Sequence, residues 1–145
     1  MRKTIVIYKS KSGFTKKYAE WIAEELSADL FAAEKVTPEM LGAYDTVIFG
    51  GGLHIVGING LKLITQHLDL LKGKKVVVFA VGATPPREED IEEVKTKNFT
   101  PAQLEQIHFF YLRGGFDFGK LKPVDKVLMT LMKLKLKGKK QLTAD

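Results

Sequence analysis

The sequence contains no cysteine, which excludes disulfide bonds, thiolate metal sites, iron–sulfur clusters and cysteine nucleophiles. Long hydrophobic runs are also absent: no apolar stretch approaches the roughly 18–20 residues that a membrane-spanning helix requires. The apolar stretch near the N-terminus, residues 5–8, is shorter than the roughly 7–15 residues of a secretory signal. We therefore expect a cytoplasmic protein.

The chain also lacks an excess of acidic residues. Its net positive charge comes from one segment. Residues 1–112 carry 14 basic and 14 acidic side chains, whereas residues 113–140 carry nine basic and two acidic ones. A nucleic-acid-binding domain more often spreads its charge over a folded face, so no nucleic-acid partner is expected. A length of 145 residues with 45% apolar content is typical of one globular domain, which we expect to span residues 1–145.

Strand-like and helix-like patterns alternate along the chain. Apolar, β-branched segments predict strands at residues 3–8, 29–33, 45–50, 74–81 and 108–112. Apolar residues at helical spacing predict helices at residues 15–27, 61–71 and 88–97, and shorter helical turns beginning at Pro38 and Pro101. This alternation predicts a parallel sheet with helices on both faces. Such sheets bind ligands at the carboxyl ends of their strands, here in the loops at 9–15, 50–60 and 82–87.

The loop after the first strand reads Ser10-Lys11-Ser12-Gly13-Phe14-Thr15. Hydroxyls and free amides at the start of a helix suit a phosphate group, whose charge the helix dipole also favours. The same six residues are equally typical of an ordinary serine- and glycine-containing helix cap, but their position after the first strand favours the phosphate. The nucleoside-triphosphate P-loop pattern is absent. The dinucleotide fingerprint fails at Gly50-Gly51-Gly52-Leu53-His54-Ile55, where the last position is not glycine.

This loop resembles the phosphate-binding signature of the flavodoxin family, Thr/Ser-x-Thr/Ser-Gly-x-Thr. Further along, Tyr111-Leu112-Arg113-Gly114-Gly115 followed by Lys122-Pro123-Val124-Asp125-Lys126 resembles the branch that contains the flavodoxin-type, menaquinone-dependent protoporphyrinogen oxidases. The resemblance covers residues 4 to about 138. It implies a flavodoxin-like three-layer α/β sandwich, with a five-stranded parallel sheet of order 2-1-3-4-5 and helices on both faces, that binds FMN non-covalently.

The resemblance also implies the residues of the flavin site. The FMN phosphate would be held by Ser10, Lys11, Ser12, Gly13, Phe14 and Thr15. One side of the flavin ring would be formed by Gly51, Gly52, Leu53, His54 and Ile55, and the other side by Ala83, Thr84, Pro85 and Pro86. Glycines suit this place because a backbone without Cβ can approach the ring closely. The flavin supplies the chemistry, so neither a catalytic acid or base nor a metal is expected.

Two function classes remain open. The first is an FMN-dependent redox protein, either an electron carrier or an oxidoreductase acting on a quinone or a porphyrinogen-like substrate, with a redox protein or a quinone as partner. The third loop has no aromatic residue to stack on a flavin, and the surface lacks the acidic excess of electron-shuttling flavodoxins. These departures favour the oxidoreductase over the shuttle. The second class is a flavin-free scaffold that docks to an anionic membrane or a protein partner.

Residues 120–140 predict a basic amphipathic helix. An apolar stripe is accompanied by Lys126, Lys133, Lys135, Lys137 and Lys139. The helix either packs on the sheet with its lysines reaching water, or also lies on an anionic membrane, which would place the protein at the inner face of the membrane. Relatives continue to a further closing helix, which residues 141–145 do not offer. Either the helix at 123–136 takes that place, or a closing helix is missing.

Overall fold

A computed structural model of the protein describes residues 3–9, 14–54, 57–82 and 88–113. Arg113 is described by its backbone alone. The chain divides into two units, Met1–Gly115 and Phe116–Asp145. All described residues belong to the first unit, whose fold is given below. The predicted C-terminal helix and its lysines lie outside the described residues, so the single domain over residues 1–145 stays a prediction.

The described residues form one central sheet. Its strands are β1 (Thr4–Lys9), β2 (Asp29–Ala32), β3 (Thr46–His54), β4 (Gly57–Ile58), β5 (Lys75–Gly82) and β6 (Ile107–Arg113). Five of them are parallel in the order β2-β1-β3-β5-β6, and the two-residue β4 pairs antiparallel with β3. With β4 set aside, this is the predicted order 2-1-3-4-5, and the predicted fold class is confirmed.

Short connections and helices join the strands. The helices are α1 (Phe14–Leu26), α2 (Pro38–Gly42), α3 (Lys62–Thr65), α4 (Glu88–Asn98) and α5 (Pro101–Gln106), with 3-10 turns at Ala33–Lys35 and Leu68–Leu71. The predicted start at Pro101 is confirmed by a capping box. The Thr100 hydroxyl accepts a hydrogen bond from the Gln103 amide at 3.2 Å, and the Gln103 side-chain oxygen accepts one from the Thr100 amide at 2.9 Å.

Alternation along the strands divides the core between the two faces of the sheet. One face packs against α2, α3 and α4, and its buried core includes Ile5, Ile7, Val47, Phe49, Val76 and Val78 with Leu41, Ile64 and Val94. Helix α1 contacts β1 and β3 and buries Tyr18, Ala19, Ile22 and Ala23. These α1 residues lie outside that cluster and cover the opposite face of the sheet. Val6 and Ile48 of the strands point to the same face. Helices therefore cover both faces.

Two predicted elements differ from the structure. The predicted helix at 61–71 is broken into α3 and a 3-10 turn, because His67 leaves the helical conformation with φ −124° and ψ 23°. Leu61, Ile64 and Leu71 are nevertheless buried, since their spacing determines which side faces the core but not whether the helix is continuous. Strand β3 continues four residues beyond the predicted end at Gly50, because β4 gives Leu53 and His54 a pairing partner.

Candidate functional site

The carboxyl ends of the central strands lie at one edge of the sheet. Lys9 at the end of β1 is opposite Gly51 of β3, and Gly51 is opposite Ala80 of β5. The chain passes from β1 to β2 on one side and then to β3 on the other, so the strand order reverses between β1 and β3. That reversal marks the ligand-binding crevice in open parallel sheets, and the three predicted loops begin at this edge.

Six of the predicted site residues are described: Phe14, Thr15, Gly51, Gly52, Leu53 and His54. The other predicted residues lie outside the described residues: Ser10, Lys11, Ser12, Gly13, Ile55, Ala83, Thr84, Pro85 and Pro86. The site is therefore built here from the first turn of α1, from the end of β3 with β4, and from the end of β5.

Thr15, at the end of the first predicted loop, lies next to Gly52 of the second. It lies in the first turn of α1 and is 1% exposed. Its Oγ1 lies 3.5 Å from the position that a Cβ on Gly52 would occupy. Because the amides of the first helical turn have no partner within their own helix, a hydroxyl there adds a donor to a place that already favours anions.

The three consecutive glycines at the end of β3 have different surroundings. A Cβ on Gly50 would overlap the ring of Phe79, and a Cβ on Gly51 would overlap the backbone oxygen of Asn59. At Gly52 the Thr15 hydroxyl is the sole described neighbour of such a Cβ within 4 Å. Packing therefore explains the missing side chain at two positions, and Gly52 is the one where the described residues leave room for a Cβ. A flavin contact at Gly51 stays a prediction.

The second predicted loop continues as part of a hairpin. Leu53 is opposite Ile58 and His54 is opposite Gly57, and the Asn59 amide donates to the Gly52 oxygen at 2.9 Å. Leu53 packs against the core, whereas His54 is exposed. Gly51 and Gly52 pair with β5, and Leu53 and His54 pair with β4, so strand pairing fixes the backbone of residues 51–54.

Two residues that the sequence did not indicate as site residues support this edge. The Asn98 side chain accepts a hydrogen bond from the Ile58 amide at 3.0 Å. The Tyr111 hydroxyl fills the place where a Cβ on Gly82 would lie, directly before the third predicted loop. An asparagine in the last turn of a helix is typical of a local cap, and Tyr111 was noted only as part of the family resemblance. Nothing in the sequence therefore indicated that either residue lies at this edge of the sheet.

Positive charge surrounds the entrance to the first loop. The Lys9 ammonium lies 3.6 Å from the Glu34 carboxylate, and the Lys16 ammonium lies 6.0 Å from the centre of the Tyr8 ring. The backbone amide of Glu34, which donates to the carboxylate of the same residue, and the charge of Lys9 lower the pKa of the Glu34 carboxyl. These exposed contacts stabilise the fold little, but they keep cationic groups beside the predicted phosphate position.

The described residues fit a flavin mononucleotide. A buried hydroxyl at a helix N-terminus suits the phosphate, and no side chain of the described residues other than Thr15 comes within 4 Å of a Cβ on Gly52. Residues 51–54, fixed by strand pairing, would offer their backbone to a planar ring.

Comparison with known proteins agrees with this geometry. The model of the family described as a flavodoxin domain matches residues 5–143. An uncharacterised protein of Methanocaldococcus jannaschii is 34% identical over 128 residues, which cover 83% of this chain and 81% of that protein.

Solved structures show the same fold at lower identity. A flavodoxin from the domain Archaea superposes with a TM-score of 0.53 at 18% identity, covering 81% of this chain and 87% of that chain. The apo form of an NADH:FMN oxidoreductase superposes with a TM-score of 0.61 at 13% identity, covering 89% of this chain and 84% of that chain. With a sheet of this order and a family match over nearly its whole length, the chain belongs to the flavodoxin domain family.

Proposed function

We propose that this protein binds FMN non-covalently at the carboxyl edge of its sheet and transfers electrons through it. The observation that carries the proposal is the buried Thr15 hydroxyl in the first turn of α1, beside the open position at Gly52. Membership of the flavodoxin domain family supports the same ligand. No other arrangement among the described residues combines a helix N-terminus, a buried hydroxyl and open space.

The chain's own residues bind and orient the cofactor. Amides of the first turn of α1 and the Thr15 hydroxyl would donate to phosphate oxygens, and the family resemblance implies Ser10 and Ser12 as further donors. Each hydrogen bond to a charged oxygen contributes about 1.5–3 kcal/mol. By the same resemblance, residues 51–55 and 83–86 would line the two sides of the ring and limit the access of water. When bound, the flavin accepts and releases the electrons.

A pair of substitutions at Thr15 tests the phosphate site. Thr15→Val keeps the side-chain shape and removes the hydroxyl, so FMN affinity falls by about 1.5–3 kcal/mol, roughly 10- to 150-fold. Thr15→Ser keeps the hydroxyl and retains most of the affinity. Titration followed by quenching of FMN fluorescence measures both dissociation constants. Equal binding by wild type and Thr15→Val, or no binding by wild type, contradicts the proposal.

A second substitution adds charge instead of removing a donor. Ser12→Glu brings a carboxylate to the predicted phosphate position, and like-charge repulsion weakens FMN binding by several kcal/mol. Ser12→Gln serves as the matched neutral control. If the two variants bind FMN equally, charge at this position does not act on the ligand.

Within the family, we propose that the protein belongs to a branch that oxidises a porphyrinogen-like substrate and passes the electrons to a quinone. Support comes from the sequence around Tyr111 and from the lack of an acidic surface excess. The test is anaerobic reduction of the FMN-loaded protein followed by separate addition of a menaquinone analogue and a one-electron acceptor protein. Fast reoxidation by the quinone, with oxidation of protoporphyrinogen, supports this branch. Exclusive reoxidation by the one-electron acceptor supports a carrier.

A second candidate function rests on the basic segment. The nine basic side chains of residues 113–140 would attract an anionic membrane surface, with each lysine near the surface contributing about 1 kcal/mol. None of the helices in the described part of the chain has both the length and the hydrophobicity to cross a bilayer. The contact proposed here is peripheral, and it could serve either a redox protein or a flavin-free scaffold.

Charge-neutral substitutions test this contact. Changing Lys133, Lys135, Lys137 and Lys139 together to Gln abolishes flotation with phosphatidylserine liposomes, whereas changing the same four to Arg preserves it. FMN binding is unaffected in both variants. Loss of flavin and liposome binding together would show that the segment is structural. A colourless protein that takes up no FMN but floats with the liposomes would favour the scaffold.

A further inference from the structure

A side chain from α4 hydrogen-bonds the outer side of the hairpin formed by β3 and β4. Strand β4 has two residues, and its Ile58 faces Leu53 of β3. The Ile58 amide points away from that pairing, to Asn98 in the last turn of α4, and donates to its Oδ1 at 3.0 Å. A strand this short provides few contacts of its own, so its position depends on what holds its outer edge.

Asn98 is itself held in place. Its Nδ2 donates to the backbone oxygen of Val94 at 2.7 Å, one helical turn earlier. This bond orients the amide so that Oδ1 faces β4 and removes rotational freedom from the side chain. Val94 is buried, which anchors this turn of α4 in the core. The acceptor that meets Ile58 therefore belongs to the rigid part of the helix.

The other strand of the hairpin carries part of the candidate flavin wall. The Asn59 amide donates to the Gly52 oxygen at 2.9 Å, and the Ile58 side chain lies against Gly51. A displacement of β4 would therefore move residues 51–54.

We propose that Asn98 is a positioning residue for the flavin, which acts through the Ile58 amide and the hairpin to set FMN affinity and reduction potential. This inference rests on the proposed FMN function. Asn98 touches neither the ring nor the phosphate in this arrangement, and it takes no part in electron transfer.

Two variants at Asn98 separate the acceptor from the rest of the side chain. Asn98→Leu has a similar volume but no acceptor for the Ile58 amide. Asn98→Asp keeps the acceptor and loses the donor to Val94. Thr96→Val is the matched control, because the exposed Thr96 hydroxyl donates to the oxygens of Glu92 and Glu93 within the same helix and does not reach the hairpin.

Amide hydrogen exchange of the apo protein measures how firmly the Ile58 amide of the hairpin is held. Asn98→Leu is expected to accelerate exchange at Ile58 by about five- to tenfold, the loss of one hydrogen bond, whereas Thr96→Val leaves it near the wild-type rate. Asn98→Asp keeps an acceptor but loses the bond to Val94 that orients it, so its exchange rate lies between those of wild type and Asn98→Leu. In the FMN-loaded protein, Asn98→Leu raises the FMN dissociation constant by a similar factor and shifts the midpoint potential. Asn98→Asp weakens FMN binding less than Asn98→Leu does, and Thr96→Val changes neither quantity.

The outcomes distinguish this inference from the function on which it rests. If wild type binds FMN but Asn98→Leu has the wild-type affinity and potential, the positioning role is wrong and the proposed function stands. A lower thermal stability with an unchanged potential would show a structural role only and would also overturn the inference. If wild type fails to bind FMN, the proposed function falls and the flavin role of Asn98 falls with it. The exchange data would then still report whether Asn98 holds the hairpin.

Discussion

At the scale of single residues, the glycines of β3 show that one residue type serves two purposes within three positions. Gly50 has no room for a side chain because Phe79 occupies the place of its Cβ, whereas among the described residues a Cβ on Gly52 would meet only the Thr15 hydroxyl. A glycine run at the end of a strand predicts that another group approaches the backbone closely. It does not show whether that group is a core side chain or a ligand.

Alanine substitutions separate these purposes. Gly50→Ala forces the buried Phe79 ring to move and lowers the free energy of unfolding by about 1–3 kcal/mol, the usual cost of overpacking. Gly52→Ala changes stability by less than about 0.5 kcal/mol, but weakens FMN binding because the methyl group enters the proposed site. Urea unfolding of the apo protein and FMN titration measure the two effects.

A double variant provides the control for Gly50. Combining Gly50→Ala with Phe79→Leu makes room for the methyl group, so the double variant loses less stability than the two single effects predict. Strict additivity would mean that Phe79 is not what excludes a Cβ at position 50. Normal FMN binding by Gly52→Ala would remove Gly52 from the proposed site.

At the scale of elements, a hydrogen bond ties the edge of the sheet to the connection between α2 and β3. The Tyr44 hydroxyl donates to the Asp29 carboxylate at 2.6 Å. This hydrogen bond, with partial burial and the carboxylate charge, raises the pKa of Tyr44 from 10.0 to about 12. Because the folded state favours the protonated phenol, the contribution to stability is fully present below pH 10 and is lost as the pH rises through 12.

Tyr44→Phe is therefore expected to lower the free energy of unfolding by about 1 kcal/mol at neutral pH. The difference from wild type shrinks between pH 10 and pH 12, because Tyr44 already ionises there in the unfolded chain but not yet in the folded protein. Urea unfolding of both proteins at pH 7, 9 and 11 measures it. A difference that is constant from pH 7 to pH 11 would mean that the Tyr44 pKa does not control this contact.

The elements also show which predictions local sequence can carry. The start of α5 was predictable because Thr100, Pro101 and Gln103 carry their own capping chemistry. The end of β3 was not, because its extension to His54 depends on pairing with Gly57 and Ile58. The break at His67 was also hidden, since the spacing of Leu61, Ile64 and Leu71 is compatible with a continuous helix and with two short turns.

At the scale of the whole molecule, ligand binding and stability are coupled. The proposed site joins the N-terminus of α1, the end of β3 and the end of β5, which are far apart in the chain and meet only in the folded state. A ligand that binds there stabilises the fold by mass action, about 2.7 kcal/mol at a hundredfold excess over its dissociation constant.

FMN is therefore expected to raise the melting temperature in a saturable manner. Thr15→Val reaches the same increase only at FMN concentrations about 10- to 150-fold higher, in line with its weaker binding. Differential scanning fluorimetry, read through tryptophan emission to avoid flavin fluorescence, measures the shift, with riboflavin as the phosphate-free control. If riboflavin stabilises the protein as well as FMN does, the phosphate does not contribute to binding.

The sequence by itself determined the alternation of strands and helices and, through its family resemblance, the order of the sheet, and it indicated the loops in which a ligand is expected. It could do so because hydrophobic period and turn chemistry are local, and because parallel strands bring their carboxyl ends to one edge. The tertiary structure decided which glycine faces the core and which faces the site, and it placed Thr15 beside Gly52 and Asn98 against Ile58. These contacts join residues 37 to 40 positions apart, and no local pattern encodes such pairings because they depend on how the completed elements pack.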